Sequence, residues 1–545
     1  MIAQLMFWLP LATVLVSAIA GLTIFVAGER RQRLRTWMNI AAALLKLILV
    51  GLIGLLVMAG HVPEFRVALL PGLDLVLRAD GLSMLFATLS ALLWLVTTIY
   101  AIAYLEHSPN RARFFGFFSL CVTSTMGIAM AGNLLTFFIF YELLTLATWP
   151  LVVHTGSSAA IASGRTYLRY TLTGSALFLV GLIWLYGLTG SQDFIAGGTI
   201  AGLGLDQDWS LKIIFWLLVI GMGVKAALVP LHRWLPLAMV APAPVSALLH
   251  AVAVVKAGAF GLVRLVEDVF GPSLVADLGL GLPLAMVAPA PVSALLHAVA
   301  VVKAGAFGLV RLVEDVFGPS LVADLGLGLP LAVLASITII YGSVMALYQD
   351  DIKKRLAFST VSQVSYITLG IAIGGPVATI GGLVHLVHQG LMKITLFFCA
   401  GIFANLLGVK KIDQLDGIGR RLPWTSACFT VGALGMIGLP PVAGFISKWY
   451  LGAGAVAVGQ HWVIAVLVAS TLLNAAYFLP LLKRIWLHPP PEQWPAEHRI
   501  SRLESAAMVG SSITTAIFAL LVGLLAGVPL SPLSWVTGIV TDYFP

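Results

Sequence analysis

The sequence predicts an all-α, polytopic transmembrane helix bundle of about 14 helices. Of its 545 residues, 60% are hydrophobic and 10% are charged, whereas soluble domains carry about 25% charged residues. Apolar runs of about 20 residues, long enough to cross a bilayer, recur along the whole chain. The predicted spans are 3–26, 37–59, 81–104, 113–131, 133–153, 166–187, 211–230, 244–265, 329–348, 356–377, 379–402, 425–446, 462–486 and 506–527.

The basic residues predict how the spans are oriented. Clusters such as 30–35 and 353–355 lie in short loops on one side, and loops such as 192–210 on the other side are neutral or acidic. Cytoplasmic loops of membrane proteins carry the excess of Lys and Arg. We therefore expect the chain in the cell (inner or plasma) membrane, with both termini on the non-cytoplasmic side. No basic patch with interleaved aromatic residues occurs, and no nucleic-acid partner is expected.

The cysteines and short motifs give no sign of a cofactor. Cys121, Cys399 and Cys428 lie singly in apolar segments, so disulfides, zinc and iron–sulfur clusters are not expected. Neither a Walker loop nor a dinucleotide fingerprint occurs. A protein that itself handles electrons or quinone would need such features, so no redox chemistry is expected in this chain.

A tandem duplication interrupts the pattern of spans. Residues 235–281 recur letter for letter as 282–328, and ordinary repeats diverge. The copy therefore indicates a very recent event or a sequence-assembly error. Each copy holds one good span, and one extra crossing would invert everything downstream. We therefore expect one copy to be displaced from the bundle, although a return crossing through 272–292 is the alternative.

Ionisable residues inside the first spans predict a functional pathway, because each costs about 2.5–3.5 kcal/mol or more there. Glu142 lies in mid-span, and Lys225 precedes an apparent helix break at Pro230 and Pro236. Broken helices expose backbone groups that hold water and ions beside a cavity. Snorkelling of Lys225 to the interface is the alternative.

Two further residues of the predicted proton pathway lie in span 244–265. His250 and Lys256 are six residues apart, about 9 Å along a helix and roughly 120° around it, which suits successive stations better than a metal pair. Their duplicated copies are His297 and Lys303. A satisfied buried histidine is the alternative reading of His250.

A polar stripe runs along span 379–402. His385, His388, Gln389 and Lys393 fall within a sector of about 140° on a helical wheel. Imidazole titrates near neutral pH and a desolvated lysine can approach that range, so the stripe predicts a proton relay. A metal site is the rival interpretation, and it would need further ligands that the sequence does not place nearby.

The next span repeats the arrangement seen at Lys225. In GLPPVAGFISK, the residues Gly438, Pro440, Pro441 and Gly444 break the helix shortly before Lys448. Two interrupted helices in corresponding halves point to a repeated transport unit.

These motifs, taken in order, resemble a known family. YELL at 141–144, VPLHRWLPLAMVAPAPVSALLH, DDIKKRLAFSTVSQ, HLVHQGLMK and GLPPVAGFISK are similar to the antiporter-like proton-conducting subunits of respiratory complex I and the multisubunit Mrp antiporters. The resemblance implies two inverted five-helix repeats with broken helices. It places the N-terminal helices at 1–112, the repeats at 113–266 and 329–486, and a C-terminal loop and last helix at 487–545.

The resemblance also implies roles and partners. Glu142 and Lys225 would form the first-half pair, His250 and Lys256 the connection, and His385, Lys393 and Lys448 the second-half relay and exit. The SKWYL and HQGLMK segments look closest to the D-type subunit of Mrp antiporters, although Gln389 stands where many relatives have the second histidine.

We therefore expect a subunit that moves protons and Na+ or K+ across a lipid bilayer, together with other membrane subunits. A proton-pumping subunit of a complex I-like NADH-quinone oxidoreductase or membrane hydrogenase is the alternative. A structural subunit with a pathway impaired by the duplication is the second alternative.

Overall fold

The structure, a computed structural model, describes residues 2–70, 73–190, 193–194, 209–225, 234, 241–247, 328–373, 375–497, 501–529 and 531–543. It is mainly helical, as predicted. The chain divides into two compact units, 1–226 with 240–280, and 227–239 with 281–545. Among the described residues, nine helices are long and apolar enough to cross a membrane, and the chain is a multi-pass membrane protein.

The first unit contains the N-terminal spans and a short hairpin. Its described elements are α1 (Ile2–Ala27), α2 (Gln32–Met58), β1 (Glu64–Leu70), β2 (Leu73–Arg78), α3 (Gly81–Tyr104), α4 (Arg111–Ala129), α5 (Leu134–Val152), α6 (Ser158–Thr189), α7 (Trp209–Lys225) and α8 (Ala243–Ala247). Side-chain caps start several helices: Asp80 accepts from the Ser83 amide at 2.8 Å, and Asn133 accepts from the Thr136 amide at 2.8 Å.

The β1–β2 hairpin is a feature that the hydropathy pattern does not predict. The strands pair antiparallel from Glu64 opposite Arg78. Arg78 Nε lies 2.6 Å and Arg66 Nε 3.1 Å from the Glu64 carboxylate, and Arg66 also pairs with Asp74 and Asp193. Burial alone raises the pKa of Glu64, but the hydrogen bonds from Arg78 and Arg66 outweigh it and hold the pKa below its usual value.

The second unit is arranged around one long buried helix. Its described elements are α9 (Gly328–Leu347), α10 (Ile352–Ile373), α11 (Pro376–Leu407), a 3₁₀ turn (Ile412–Leu415), α12 (Ile418–Arg421), α13 (Pro423–Ile437), α14 (Ala443–Ala457), α15 (Trp462–Leu487), α16 (Arg502–Leu524) and α17 (Pro532–Tyr543). Helix α11 begins with Pro376 in its first turn and ends at Gly408, whose φ is +66°. It packs against α10, α13, α14, α16 and α17.

Within the described residues, every predicted span except 244–265 overlaps a helix over most of its length, and residues 226–230 of the span 211–230 lie outside the described residues. The span 244–265 begins in α8 and continues outside the described residues, as does the duplicated segment up to 327. The predicted span 425–446 is divided between α13 and α14, with the break at 438–442 where the glycine and prolines predict it. Helix α17 lies beyond the last predicted span.

Candidate functional site

Lys225 lies at the end of α7 and is fully buried against α5. Its Nζ is 3.3 Å from the centroid of the Tyr141 ring and donates to the Tyr141 carbonyl. The Tyr141 hydroxyl in turn donates to the Gly221 carbonyl at 2.9 Å. A cation over an aromatic face is stabilised by the ring quadrupole, so Tyr141 holds the lysine by both its ring and its backbone.

Glu142 is the next residue on α5 but faces another neighbour. Its carboxylate accepts a hydrogen bond from Ser175 of α6. Among the described residues, no ion pair within 4 Å joins Glu142 to Lys225. Glu142 on α5 and Lys225 on α7 therefore contact different partners: Lys225 contacts Tyr141, the residue before Glu142, and Glu142 contacts Ser175.

The stripe on α11 is fully internal. His385, His388 and Gln389 are 0% exposed and Lys393 is 3% exposed. The Nδ1 atom of His385 lies 2.7 Å from Ser447 Oγ of α14. His388 lies beside the Ala443 backbone, and neither of its ring nitrogens has a hydrogen-bonding partner among the described residues. Such buried polar groups are normally satisfied by ordered water.

Lys393 turns from α11 toward α10. Its Nζ donates to the Leu356 carbonyl at 2.9 Å and to Ser359 Oγ at 2.6 Å. One turn further along α10, Gln363 donates to the Met436 carbonyl at 3.2 Å, while its amide oxygen has no partner in the described part of the chain. The interface of α10 and α11 is therefore a polar interior inside an apolar bundle.

Lys448 forms a hydrogen bond with the backbone at the break between α13 and α14. Proline has no N–H, so Pro440 and Pro441 leave the carbonyls of Met436 and Ile437 without their helical partners four residues on. Lys448 Nζ donates to the Ile437 carbonyl at 2.6 Å and also to Thr471 Oγ1 at 3.0 Å.

The Met436 carbonyl is satisfied in the same way by side chains from other helices. Gln363 donates to it at 3.2 Å, and Asn474 of α15 also donates to it at 3.2 Å. The two prolines thus convert two backbone acceptors into a binding site for polar side chains.

Tyr366 of α10 lies between the predicted relay and the predicted exit lysine. Its ring centroid is 5.4 Å from that of His385 and 5.3 Å from Lys448 Nζ. Its hydroxyl donates to Ser470 Oγ at 2.7 Å. The sequence motifs predict neither Tyr366 nor its hydroxyl neighbours, because their role depends on how α10, α14 and α15 pack.

Several predicted positions lie outside the described residues. They are His250, Lys256, His297, Lys303, Pro230 and Pro236. Within the described ranges, no group of three or more His, Cys, Asp or Glu side chains is placed to hold a metal ion. The relay interpretation of the α11 stripe stays a prediction.

Comparison with known families assigns the chain to one of them. Residues 131–276 and 272–474 match the family described as NADH:quinone oxidoreductase/Mrp antiporter, TM, and together they cover more than half of the sequence. The chain belongs to this family. Residues 72–115 also match the N-terminus of NADH-ubiquinone oxidoreductase (complex I) chain 5. The two longer matches meet inside the duplicated region, so each copy lies in a segment that matches the NADH:quinone oxidoreductase/Mrp antiporter family.

Individual relatives include subunits of oxidoreductases and subunits of antiporters. The chain is 31% identical over 430 residues to the N subunit of the NADH-quinone oxidoreductase of Desulforudis audaxviator, covering 77% of this chain and 74% of the relative. It is 24% identical over 448 residues to the D-type subunit of the Na(+)/H(+) antiporter of Bacillus subtilis, covering 82% and 79%.

A solved structure shares the fold. A chain of the Mrp complex from a Dietzia species superposes with a TM-score of 0.72 at 23% identity, covering 99% of this chain and 100% of that one.

Proposed function

We propose that the chain is a proton/monovalent-cation translocating membrane subunit of a multisubunit Na+(K+)/H+ antiporter, similar to the D-type subunit of Mrp antiporters. The observation that supports this most is the setting of Lys448. Its ammonium binds the Ile437 carbonyl freed at the break between α13 and α14, and the Tyr366 ring lies near both this ammonium and His385. Ionisable groups in such positions mark ion and proton pathways.

In the second half, the proton moves along α11 and then to α14. Lys393 and His385 are the stations on α11, and Lys448 is the exit. Hydroxyl groups lie at each station: Ser359 bonds Lys393 and Ser447 bonds His385. Water completes the path where His388 and Gln389 are buried without protein partners in the described residues.

In the first half, Glu142 controls the charge of Lys225. A charged carboxylate near the lysine stabilises the ammonium, and movement of the two groups apart favours release of the proton. Their different partners support this: Lys225 contacts Tyr141 and Glu142 contacts Ser175, so rotation of either side chain changes the distance between the charges. His250 and Lys256 connect this half, 113–266, to the second, 329–486, in the proposed inverted-repeat arrangement.

The proposed assembly follows from the matched relatives, which are subunits by name. We expect other membrane subunits as partners, in the cell membrane, with both termini on the non-cytoplasmic side. Protons and Na+ or K+ are the proposed transported ions.

The test replaces each exit or entry lysine in the complete assembled complex. Lys225→Ala and Lys448→Ala are each expected to abolish ΔpH-linked transport in inverted membrane vesicles. Lys483→Ala is the matched control, because Lys483 is exposed near the end of α15 and forms no part of the pathway. Normal transport by both Lys225→Ala and Lys448→Ala would overturn the proposal.

A redox-driven complex I-like machine is the second candidate, favoured by the higher identity to the NADH-quinone oxidoreductase relative. Affinity purification of the native complex separates the two. Redox subunits among the partners would indicate the complex I-like assembly, and small membrane subunits alone would indicate the antiporter.

A structural subunit with an impaired pathway is the third candidate. Deleting 282–328 removes one copy of the identical segment. Transport that appears only after the deletion would favour this candidate, whereas equal transport before and after would exclude impairment by the duplication.

A further inference from the structure

A third buried lysine lies outside both proposed half-pathways. Lys46 is near the middle of α2 and is 0% exposed. Its Nζ donates to Ser17 Oγ of α1 at 2.5 Å and lies 5.0 Å from the Trp94 ring centroid of α3. Three helices therefore enclose one ammonium at membrane depth.

Polar side chains continue from Lys46 toward the start of α2. Asn39 and Arg35 share the buried face of that helix with Lys46, and Arg35 lies about 16 Å from it along the axis. Ser119 of α4 donates to Asn39 Oδ1 at 3.4 Å. At the end of this column, Arg35 pairs at 3.2 Å with Glu29, which is half-exposed.

Hydroxyl groups of α1 and α4 join the column to the lysine. Ser17 Oγ lies 2.9 Å from Thr123 Oγ1, so the acceptor of Lys46 is itself hydrogen-bonded to α4. Thr123 lies one turn beyond Ser119 on the same helix. The column consequently runs along the α1–α2–α4 interface from Glu29 to Lys46.

Helix α3, which contacts Lys46 through Trp94, carries buried polar atoms without partners in the described part of the chain. Trp94 Nε1, Thr97 Oγ1 and Thr98 Oγ1 on α3 are buried, and none has a hydrogen-bonding partner among the described residues. Buried groups of this kind are normally satisfied by ordered water, and these three occur within five consecutive residues of α3, the helix whose Trp94 ring lies beside the lysine.

In the described part of the chain, no carboxylate lies within 4 Å of Lys46 to balance its positive charge. The charged groups Arg111 and Glu106 lie near Arg35, whereas Tyr100 of α3 stacks on Tyr104 and Cys121 of α4 contacts Thr148. An uncompensated ammonium in a span is costly, and an apolar side chain would pack there without that cost.

We propose that Lys46 is a further proton-exchanging site. Its Nζ gives a proton to water beside Ser17, water along the Asn39–Ser119 column carries the proton to solvent at Glu29, and the same route returns a proton to the amine. The inference rests on the proposed transport function. It adds to the N-terminal helices a proton site whose polar column leads to Glu29.

The test asks whether Lys46 must gain and lose a proton or need only carry a positive charge. Lys46→Arg keeps the charge and hydrogen bonding but does not release a proton in the accessible pH range. We expect Lys46→Arg and Lys46→Met to lower ΔpH-linked transport at least tenfold in assembled complex, with a melting temperature near that of the wild type for Lys46→Arg. Wild-type transport by Lys46→Arg would overturn the proposal, because the role would then be structural.

Two comparisons make each result decisive. If Lys46→Arg fails to fold, Ser17→Ala removes only the hydroxyl acceptor and is expected to lower transport severalfold and shift its pH profile; an unchanged rate and profile would overturn the proposal. Lys448→Ala runs in parallel. Normal transport by Lys448→Ala would defeat the proposed function itself, whereas an inactive Lys448→Ala beside a fully active Lys46→Arg defeats only this inference.

Discussion

Gly438→Ala is expected to disable transport while leaving the fold intact. Gly438 ends α13 with a φ of +93°, and a Cβ built there would lie 2.6 Å from Cδ, 3.0 Å from Cε and 3.1 Å from Nζ of Lys448. The lysine must move away to relieve these contacts. Its hydrogen bond to the Ile437 carbonyl is only 2.6 Å long and would be broken or lengthened.

The Gly438→Ala substitution is expected to affect both the stability and the transport rate. A non-glycine residue in left-handed geometry costs about 1–2 kcal/mol of stability. Displacing a reacting group by about 1 Å lowers rates by up to about a hundredfold. We therefore expect transport to fall between tenfold and a hundredfold, with only a modest loss of thermal stability.

Gly459→Ala is the matched control for backbone strain. Gly459 also has a positive φ, +75°, but a Cβ there would meet nothing within 4 Å. Both variants should lose similar stability in detergent, measured by the melting temperature, and only Gly438→Ala should lose ΔpH-linked transport in vesicles. Equal transport by the two variants would refute the link between Gly438 and the position of Lys448.

Three further predictions test the surroundings of the site. Tyr366→Phe removes the hydroxyl that bonds Ser470, so transport should fall severalfold if that hydroxyl takes part in the relay; an unchanged rate in vesicles would exclude it. Gly444→Ala should lower the melting temperature strongly, because its Cβ would overlap the Gly435 carbonyl oxygen and must push α13 and α14 apart; a wild-type melting curve would contradict this close approach. Glu64→Gln should cost about 1 kcal/mol at neutral pH, since hydrogen bonds to charged partners are lost. The lowered pKa of Glu64 means that its contribution is present above the ordinary glutamate value and is lost as the pH falls through the lowered one, so melting curves of the two proteins should converge in acid and stay apart at neutral pH.

The sequence predicts the spans and the helix break because both depend on local chemistry. A run of apolar residues defines a span wherever it occurs, and Pro440 and Pro441 remove two N–H groups in any setting. The partners of the freed carbonyls are different. Gln363 lies more than seventy residues away from Met436, and only the packing of α10 against α13 brings them together.

Other features carried a local signal that hydropathy alone overlooks. Residues 64–78 contain two β-prone runs around Pro71 and Gly72, which is a hairpin pattern, but the runs are too short to register as spans. The rule that selects Glu142 as an ionisable residue within a span also selects Lys46 in span 37–59. The contacts of Lys46 with α1 and α3, by contrast, required the structure.

The capture of the Ile437 carbonyl by Lys448 limits how that lysine can work. An unpaired carbonyl at membrane depth costs several kcal/mol, so the side chain is anchored at its place in the break. A neutral amine still has two N–H groups, enough to keep both the carbonyl and Thr471 as acceptors after the proton has left. In the proposed mechanism Lys448 would therefore change charge without moving its side chain, and the neighbouring hydroxyls and waters that face it would set the direction of transport.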